Sequence, residues 1–156
     1  MLSLLSVRSF LTIDVGPVSL ALAASAVDEV LRAVFIAPVP SGDPLLEGVI
    51  NLRGTVVPVL DIRTRLRLPA RELTADQFLV IAQAGSRQVA LRVDGVGDLV
   101  ELPENALRAP ATELQGDAVA GIARTPDGVL IVFDLDAFLT VEQGQHVDAT
   151  LSAWPA

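Results

Sequence analysis

Short apolar runs recur along the chain at intervals of about eight to twelve residues, and glycine, proline or aspartate separates them. Runs rich in Val, Ile and Leu with turn residues between them are typical of the strands of a β-barrel or sandwich. Helical periodicity is rare and short. We therefore expect an all-β protein with a few short helices. The predicted strands are residues 9–15, 18–22, 31–37, 48–51, 55–60, 77–83, 88–93, 121–124 and 129–133.

An internal repeat organises these runs. One long block aligns with a second one without a gap at an offset of 73, and glycine, aspartate and leucine coincide. Three shorter blocks upstream repeat in the same order at offsets of 68 or 69. The pattern indicates a duplication, although sequence rich in Val, Leu and Ala can imitate one. The paired blocks are 10–13 with 78–81, 21–22 with 90–91, 27–30 with 96–99, and 48–66 with 121–139.

Each repeat is about 60–70 residues long, which is marginal for a stable core of its own. We therefore expect the two units to pack together and to leave a groove between them. Residues 68–76 are the predicted linker between the units. Residues 140–156 lose the periodicity and are expected to fray or to dock loosely. Trp154, near their end, is either a partner anchor or a weakly packed terminal residue.

Turn and cap residues agree with this organisation. Asp61 and Asp134 each follow a β-rich run and can cap a short helix by accepting backbone hydrogen bonds. As an alternative, Asp134 and Asp136 could ligate a divalent metal. Residues 125–128, Thr-Pro-Asp-Gly, predict a tight turn. Pro58 lies inside a strand pattern and is expected on an edge strand or at a bulge, because it cannot donate a hydrogen bond.

Composition raises a question that the strand pattern does not answer. The chain has 156 residues and a net charge of −8, yet 51% of it is hydrophobic, and its 11 glycines bring the apolar share to about 58%, above the roughly 45–50% of ordinary soluble domains. The longest uncharged run, residues 15–27, is shorter than the about 20 residues of a membrane span. Arg8 follows the first apolar stretch, the reverse of a secretory signal. We expect a cytoplasmic protein.

Several kinds of chemistry are disfavoured. The sequence has no cysteine, which excludes disulfides and thiolate chemistry. Its excess negative charge argues against nucleic acid as a partner. Common catalytic motifs are absent, the single histidine, His146, lies in a polar stretch, and Glu29, Arg53 and Asp61 have no further convergent polar groups around them. We expect no catalytic residues and no cofactor or metal.

The remaining polar feature is the run Asn-Leu-Arg-Gly at residues 51–54, which apolar strands flank. An arginine between apolar strands usually forms a local ion pair or bonds to carbonyl groups, and Gly54 can supply a tight turn into the next strand. Spacing alone does not decide between this local role of Arg53 and a functional one.

Residues 46–69 closely resemble the signature of the CheW family of chemotaxis coupling proteins. In that family a Gly-x-(x)-Asn-Leu-Arg-Gly turn precedes a Val-x-Pro-(Val/Ile)-(Val/Ile)-Asp-Leu-Arg strand and helix start, and this chain has Gly-Val-Ile-Asn-Leu-Arg-Gly followed by Val-Val-Pro-Val-Leu-Asp-Ile-Arg. The loop at residues 16–20 lacks the family's usual acidic and aromatic residues. The resemblance extends over about residues 9–140, through flanking segments 10–13, 26–31, 91–96 and 121–139.

This resemblance implies two SH3-like five-stranded β-barrels side by side in one domain at 9–140, with repeats at 9–68 and 77–140 and a C-terminal tail at 141–156. It also implies a non-catalytic adaptor that couples the cytoplasmic tips of methyl-accepting chemoreceptors to a CheA-type histidine kinase. Such an adaptor is cytoplasmic, is recruited to membrane-associated receptor arrays without inserting into the membrane, and does not bind nucleic acid.

The resemblance also assigns candidate binding residues. Arg53 and Glu29 would form a polar pair at the edge of an apolar cleft and would orient the receptor, while apolar neighbours supply buried area. The receptor-facing positions are Val27, Glu29, Asn51, Arg53, Gly54, Val96 and Leu99, and the kinase-facing positions are Ile36, Val39 and Gly48.

Two other functions are weighed beside the coupling adaptor. One is a regulatory or sequestering module of the same fold that binds the kinase alone. The other is a small β-barrel hydrolase or binding protein, which would need a polar pocket that the sequence does not reveal. The pathway stays open among flagellar, pilus and gliding systems. The coupling function predicts that the surplus apolar residues form at least two exposed protein-binding faces.

Overall fold

A computed structural model of the chain describes residues 7–39, 44–108, 119–126, 128–137 and 141–153. Strands dominate the described part, as the apolar runs predict. Three-residue 3₁₀ helices lie at Ala24–Ala26, Glu104–Ala106 and Leu135–Ala137. The main elements are β1 (Val7–Val15), β2 (Val18–Ala23), β3 (Val27–Arg32), β4 (Leu46–Leu52), β5 (Thr55–Leu60), α1 (Ile62–Leu66), β6 (Phe78–Ala84), β7 (Arg87–Val93), β8 (Gly95–Pro103), β9 (Val119–Thr125), β10 (Gly128–Phe133) and α2 (Val141–Ala153).

The strands form two five-stranded sheets, which confirms the predicted all-β class. The first sheet has the order β3-β6-β7-β5-β4 and the second has the order β8-β1-β2-β10-β9. The orders are equivalent through the internal repeat, since β1 to β5 correspond to β6 to β10. Each sheet contains one parallel pair, β5 with β7 and β2 with β10.

Sheet membership does not follow the predicted units 9–68 and 77–140. The hairpin β1–β2 belongs to the second sheet, and the hairpin β6–β7 belongs to the first. The two halves of the chain therefore exchange hairpins, and each parallel pair marks the place where a strand of one half joins the other half. Each sheet is therefore completed by strands from both halves of the chain.

Three apolar clusters explain the surplus of hydrophobic residues. One lies within each sheet, and a third, which we call the central cluster, contains side chains from both sheets and from α2. Strand β6 shows why inner strands are apolar throughout: Leu79 and Ile81 pack within the first sheet, while Val80 and Ala82 point the other way into the central cluster. Strands buried on both faces read as continuous apolar runs rather than as alternating ones.

Two strand predictions were wrong, and both concern edge strands. Residues 31–37 were predicted as a strand, whereas β3 ends at Arg32, and β8 was not predicted. Strand β8 has only one buried residue among nine and includes two glycines, so it lacks the apolar run that reveals an inner strand. Pro58 was expected on an edge or at a bulge, but β5 is an inner strand. Its parallel pairing with β7 begins at Val59, and Pro58 precedes it.

The C-terminal segment is not frayed over residues 141–153, where it forms helix α2. Val147 is 3% exposed and belongs to the central cluster. Arg87 at the start of β7 donates two hydrogen bonds to Asp148, at 2.8 and 2.9 Å. A Cβ at Gly144 would lie only 2.9 Å from the same guanidinium group, so a small residue lets the helix approach. Trp154 lies outside the described residues.

A partly buried carboxylate ties the two sheets together. Asp94, between β7 and β8, accepts hydrogen bonds from the backbone N–H of Gly16 and from the side chains of Arg63, Arg71 and Gln77. Burial raises the pKa of Asp94, but these four donors together lower it well below its ordinary value. The carboxylate therefore links the β1–β2 turn of the second sheet to α1 and to Gln77, which directly precedes β6 of the first sheet.

Candidate protein-binding site

The β4–β5 hairpin carries the Asn-Leu-Arg-Gly run at its tip. Leu52 pairs with Thr55, which leaves a two-residue turn of Arg53 and Gly54 with φ angles of 50° and 87°. Both values are positive, as a type I′ turn requires, and Asn51 Oδ1 accepts a hydrogen bond from the Gly54 N–H at 2.8 Å. Arginine is unusual at such a position, where a non-glycine residue costs roughly 1–2 kcal/mol. Asn51 and Gly54 therefore hold a strained arginine at the tip.

Glu29 reaches this hairpin from the opposite edge of the same sheet. Strand β3 has a bulge here, because Val27 and Glu29 pair with the consecutive residues Ala82 and Ile81 and leave Asp28 between them as the extra residue. A bulge changes the direction of the side chains beside it. The bulge thereby places Glu29 next to the hairpin tip.

Arg53 and Glu29 form a bidentate ion pair between the edge strands β3 and β4. We call the line along which the two edge strands of a sheet approach each other the seam. Arg53 Nη1 donates to Glu29 Oε1 at 3.2 Å, and Nη2 pairs with Oε2. Hydrogen bonding to Arg53 lowers the pKa of Glu29, and the same bond raises the pKa of Arg53. The local ion pair is therefore present, yet the Arg53 side chain is still 68% exposed. Much of its guanidinium group remains free to meet a partner.

The apolar receptor-facing candidates lie in both sheets. Val27 and Val96 are half-buried, and both pack against the central cluster from equivalent places in β3 and β8. Leu99 in β8 is 65% exposed. The structure thus brings Glu29 and Arg53 into direct contact and places Val27 and Val96 on the shared central cluster, while Leu99 projects from the edge of the second sheet.

The kinase-facing candidates lie where the first sheet closes. Ile36 is 8% exposed and packs inside that sheet. The segment after β3 pairs with β4 through reciprocal hydrogen bonds of 2.9 Å between Ala37 and Val49, and a Cβ at Gly48 would lie 2.4 Å from the Ala37 carbonyl oxygen. Ile36 and Gly48 therefore serve the close approach of these segments, and Val39 is half-buried against the central cluster.

The same connection carries exposed residues that the sequence analysis missed. Phe35 is 79% exposed and Val34 is 48% exposed. They were hidden in the predicted strand 31–37, in which an aromatic residue is ordinarily a core residue. No local sequence signal marks their exposure, which follows from the end of β3 at Arg32, because apolar side chains beyond a strand have no sheet to cover them.

The aspartates that the sequence analysis considered as caps or metal ligands have structural roles. Asp61 Oδ1 accepts a hydrogen bond from the Arg63 N–H at 3.0 Å at the start of α1. Asp134 Oδ1 accepts one from the Asp136 N–H at 3.0 Å. Both capping predictions are confirmed, and within the described residues no group of acidic or histidine side chains is arranged to hold a metal ion. None of the described helices is both long and apolar enough to cross a membrane.

Comparison with known proteins decides the family. A family model of the CheW-like domain matches residues 9–143. The chain belongs to the CheW family. The CheW protein of Bacillus subtilis strain 168 is 33% identical over 110 residues, which cover 69% of this chain and 70% of that protein. The CheW protein of Rhizobium meliloti strain 1021 is 32% identical over 125 residues, covering 80% and 78%.

A solved CheW structure has the same fold. The crystal structure of the scaffolding protein TtCheW from Thermoanaerobacter tengcongensis superposes with a TM-score of 0.80 at 26% identity, and the match covers 88% of this chain and 96% of that chain. CheW relatives and a CheW scaffold together identify a coupling adaptor of chemotaxis. They favour the adaptor over a module that binds only a kinase.

Proposed function

We propose that this CheW-family chain joins the cytoplasmic tips of chemoreceptors to a CheA-type histidine kinase, without catalysing a reaction itself. It acts in the cytoplasm, where receptor arrays recruit it to the membrane. The observation that carries the proposal is the Arg53–Glu29 pair, which is held on a strained turn and remains open to solvent on the arginine side. Strain of this kind persists where the surrounding structure enforces it, and it clusters at functional sites.

The receptor face contains this pair and the apolar residues around it. Arg53 and Glu29 fix orientation, because a charged pair within an interface contributes more to register and specificity than to bulk affinity. Val27, Val96 and Leu99 offer apolar area to a receptor helix. Asn51 and Gly54 act through the turn that they build rather than by contact.

The kinase face lies on the connection between β3 and β4. Its contact residues are Phe35 and Val34, since a side chain that is 79% exposed and aromatic is a natural interface anchor. Ile36, Val39 and Gly48 contribute from beneath by holding this connection against β4. The receptor face combines the Arg53–Glu29 pair with residues of β8 in the second sheet, whereas the kinase face uses the connection after β3. The two faces therefore do not share residues, which lets one adaptor bind both partners.

Reversal of the Arg53 charge tests the receptor face. In the R53E variant two carboxylates would face each other, so binding to a receptor signalling fragment should fall at least about tenfold. Affinity is measured by sedimentation with the fragment, without kinase, and folding by circular dichroism. The matched control is R108E, because Arg108 is also exposed and forms no ion pair among the described residues. Normal receptor binding by R53E would rule out this face.

Truncation of Phe35 tests the kinase face separately. F35S should reduce kinase binding at least about tenfold, because exposed aromatic anchors carry much of an interface's energy, and it should leave receptor binding unchanged. V7S is the control, since Val7 is a 58% exposed apolar residue of the second sheet that neither proposed face includes. Equal loss of kinase binding in both variants would contradict the assignment.

A further inference from the structure

The second sheet lacks the ion pair that closes the first one. Its β9–β10 hairpin repeats the register of β4–β5, because Thr125 pairs with Gly128. Within that turn the repeat places Pro126 where the first sheet has Arg53. In β8 it places Asp98 where β3 has Glu29. An acidic residue therefore remains at the seam of the second sheet, and the base that would pair with it is replaced by proline.

A bulge in strand β8 orients Asp98, as the bulge in β3 orients Glu29. The pairing of β8 with β1 shifts at Thr12, so that β8 carries an extra residue at the bulge. Thr12 Oγ1 donates to the carbonyl oxygen of Asp98 at 3.1 Å. Gly97 permits this approach, since a Cβ there would lie 2.4 Å from Thr12 Oγ1. The backbone of Asp98 is thereby fixed, and its side chain lines an open mouth at this end of the sheet.

This opening, which we call the mouth, is a half-open cavity of about 510 Å³ with an apolar floor and an acidic rim. Val100 and Leu130 pack against the core of the second sheet beneath it, and Val129 is 60% exposed beside it. The rim carries three carboxylates and one guanidinium group. These belong to Asp14, Asp98, Glu101 and Arg124.

The chain itself does not neutralise this rim within the described residues. Arg124 forms no ion pair with any of the three carboxylates, and neither Asp98 nor Glu101 has a side-chain hydrogen bond there. The sequence of residues 109–118, between β8 and β9, contains two acidic residues and no basic one. Asp98 and Glu101 are therefore available to a cation from another molecule.

We propose that this mouth binds an arginine side chain of a partner protein, together with an apolar residue next to it in the partner. The first sheet provides the template, because there the chain's own Arg53 fills the equivalent place and bonds to the equivalent carboxylate. Asp98 is one methylene shorter than Glu29, which leaves room for an incoming guanidinium group. The site lies on the second sheet, away from both the Arg53–Glu29 pair and the Phe35 connection, and it adjoins the receptor-face residues Val96 and Leu99 along β8.

A peptide pair tests the proposal on the full chain. The probe is N-acetylated, C-amidated Leu-Arg-Val, and its control has citrulline in place of arginine, which keeps the shape and removes the charge. Titrated into isotopically labelled protein and followed by backbone NMR shifts, the arginine peptide should perturb residues 97–102 and 124–130 and bind about tenfold more tightly than the citrulline peptide. Equal affinities, or shifts confined to residues 27–31 and 51–55, would overturn the proposal.

Variants test the carboxylate and the template. D98N should weaken binding of the arginine peptide about tenfold, whereas E104Q, which removes an exposed carboxylate outside the mouth, should not. The double variant P126R/D98E rebuilds the bridge of the first sheet and should abolish peptide binding, while P126A should not. Parent-like affinity in D98N or in P126R/D98E would contradict the site. The peptide comparison needs no variant and stands even where one fails to fold.

Discussion

The two sheets share a strand order but differ in how closely their edge strands meet. In the first sheet the segment after β3 approaches β4 so closely that a Cβ at Gly48 would lie 2.4 Å from the Ala37 carbonyl oxygen. In the second sheet the equivalent distance, from a Cβ at Gly121 to the Arg108 carbonyl oxygen, is 3.1 Å. Both seams are bonded by a reciprocal pair of 2.9 Å hydrogen bonds, Ala37 with Val49 and Arg108 with Ile122.

The same difference continues to the hairpin tips. The first seam ends in the Arg53–Glu29 pair, whereas the second ends in a cavity lined by Pro126 and Asp98. The interiors remain alike, because each sheet packs its own apolar cluster against the common central one. The duplicated halves have thus kept the core and differ at the seam.

Substitution of the two seam glycines should give the largest difference in stability between the two sheets. G48A places a methyl group against backbone that cannot move alone, so we expect a loss of about 2–3 kcal/mol in the free energy of unfolding. In G121A the neighbour has to give by only a few tenths of an ångström, and the loss should stay below about 1 kcal/mol. Urea unfolding of both variants measures the difference. Equal losses would show that the seams are equally tight.

The sequence predicts the inner strands and the edge strands β4 and β9, but it fails at the edge strands β3 and β8, for a physical reason. An inner strand such as β6 is buried on both faces and has a continuous apolar run at residues 78–82. The edge strand β8 has only one buried residue among nine, and positions that are not buried are free to be polar or glycine. The exchange of hairpins between the halves was not predicted, because an apolar pattern fixes which face is buried but not which strand lies beside it.

The candidate site could likewise be predicted only in part from the local sequence. The turn at Arg53 and Gly54 follows from local sequence, since a glycine in a short link between two strands predicts a tight hairpin. The contact between Arg53 and Glu29 spans 24 positions of sequence, so only the family resemblance could predict it. The exposure of Phe35 had no local signal, because its neighbours are as apolar as those of a core strand.

Neutralisation of Asp94 should have the next largest effect, and it should act on both sheets because this carboxylate links them. D94N weakens four hydrogen bonds that involve charge, and we expect a loss of about 1–2 kcal/mol at pH 7. The pKa of Asp94 is depressed in the folded protein, so its stabilisation is present above the unfolded value of about 3.9 and declines as the pH falls below it. The parent and D94N should therefore converge in stability in acid.

Urea titrations of both proteins between pH 7 and pH 3 measure this convergence, with D98N as a control that removes an exposed carboxylate of the second sheet. A difference between the parent and D94N that stays constant down to pH 3 would show that another carboxylate carries the acid sensitivity. Loss of hydrogen-exchange protection in only one sheet of D94N would show that Asp94 does not couple the two.

The smallest change in stability should come with the largest change in function. In R53N the hairpin tip becomes Asn-Gly, the pair that a type I′ turn favours most. The relieved backbone offsets the lost ion pair, which is exposed to solvent and contributes little to stability, so thermal unfolding should shift little or upward. Receptor binding should nevertheless fall, since asparagine cannot supply the guanidinium group. A variant that is clearly destabilised and still binds receptor would mean that Arg53 serves the hairpin rather than the partner.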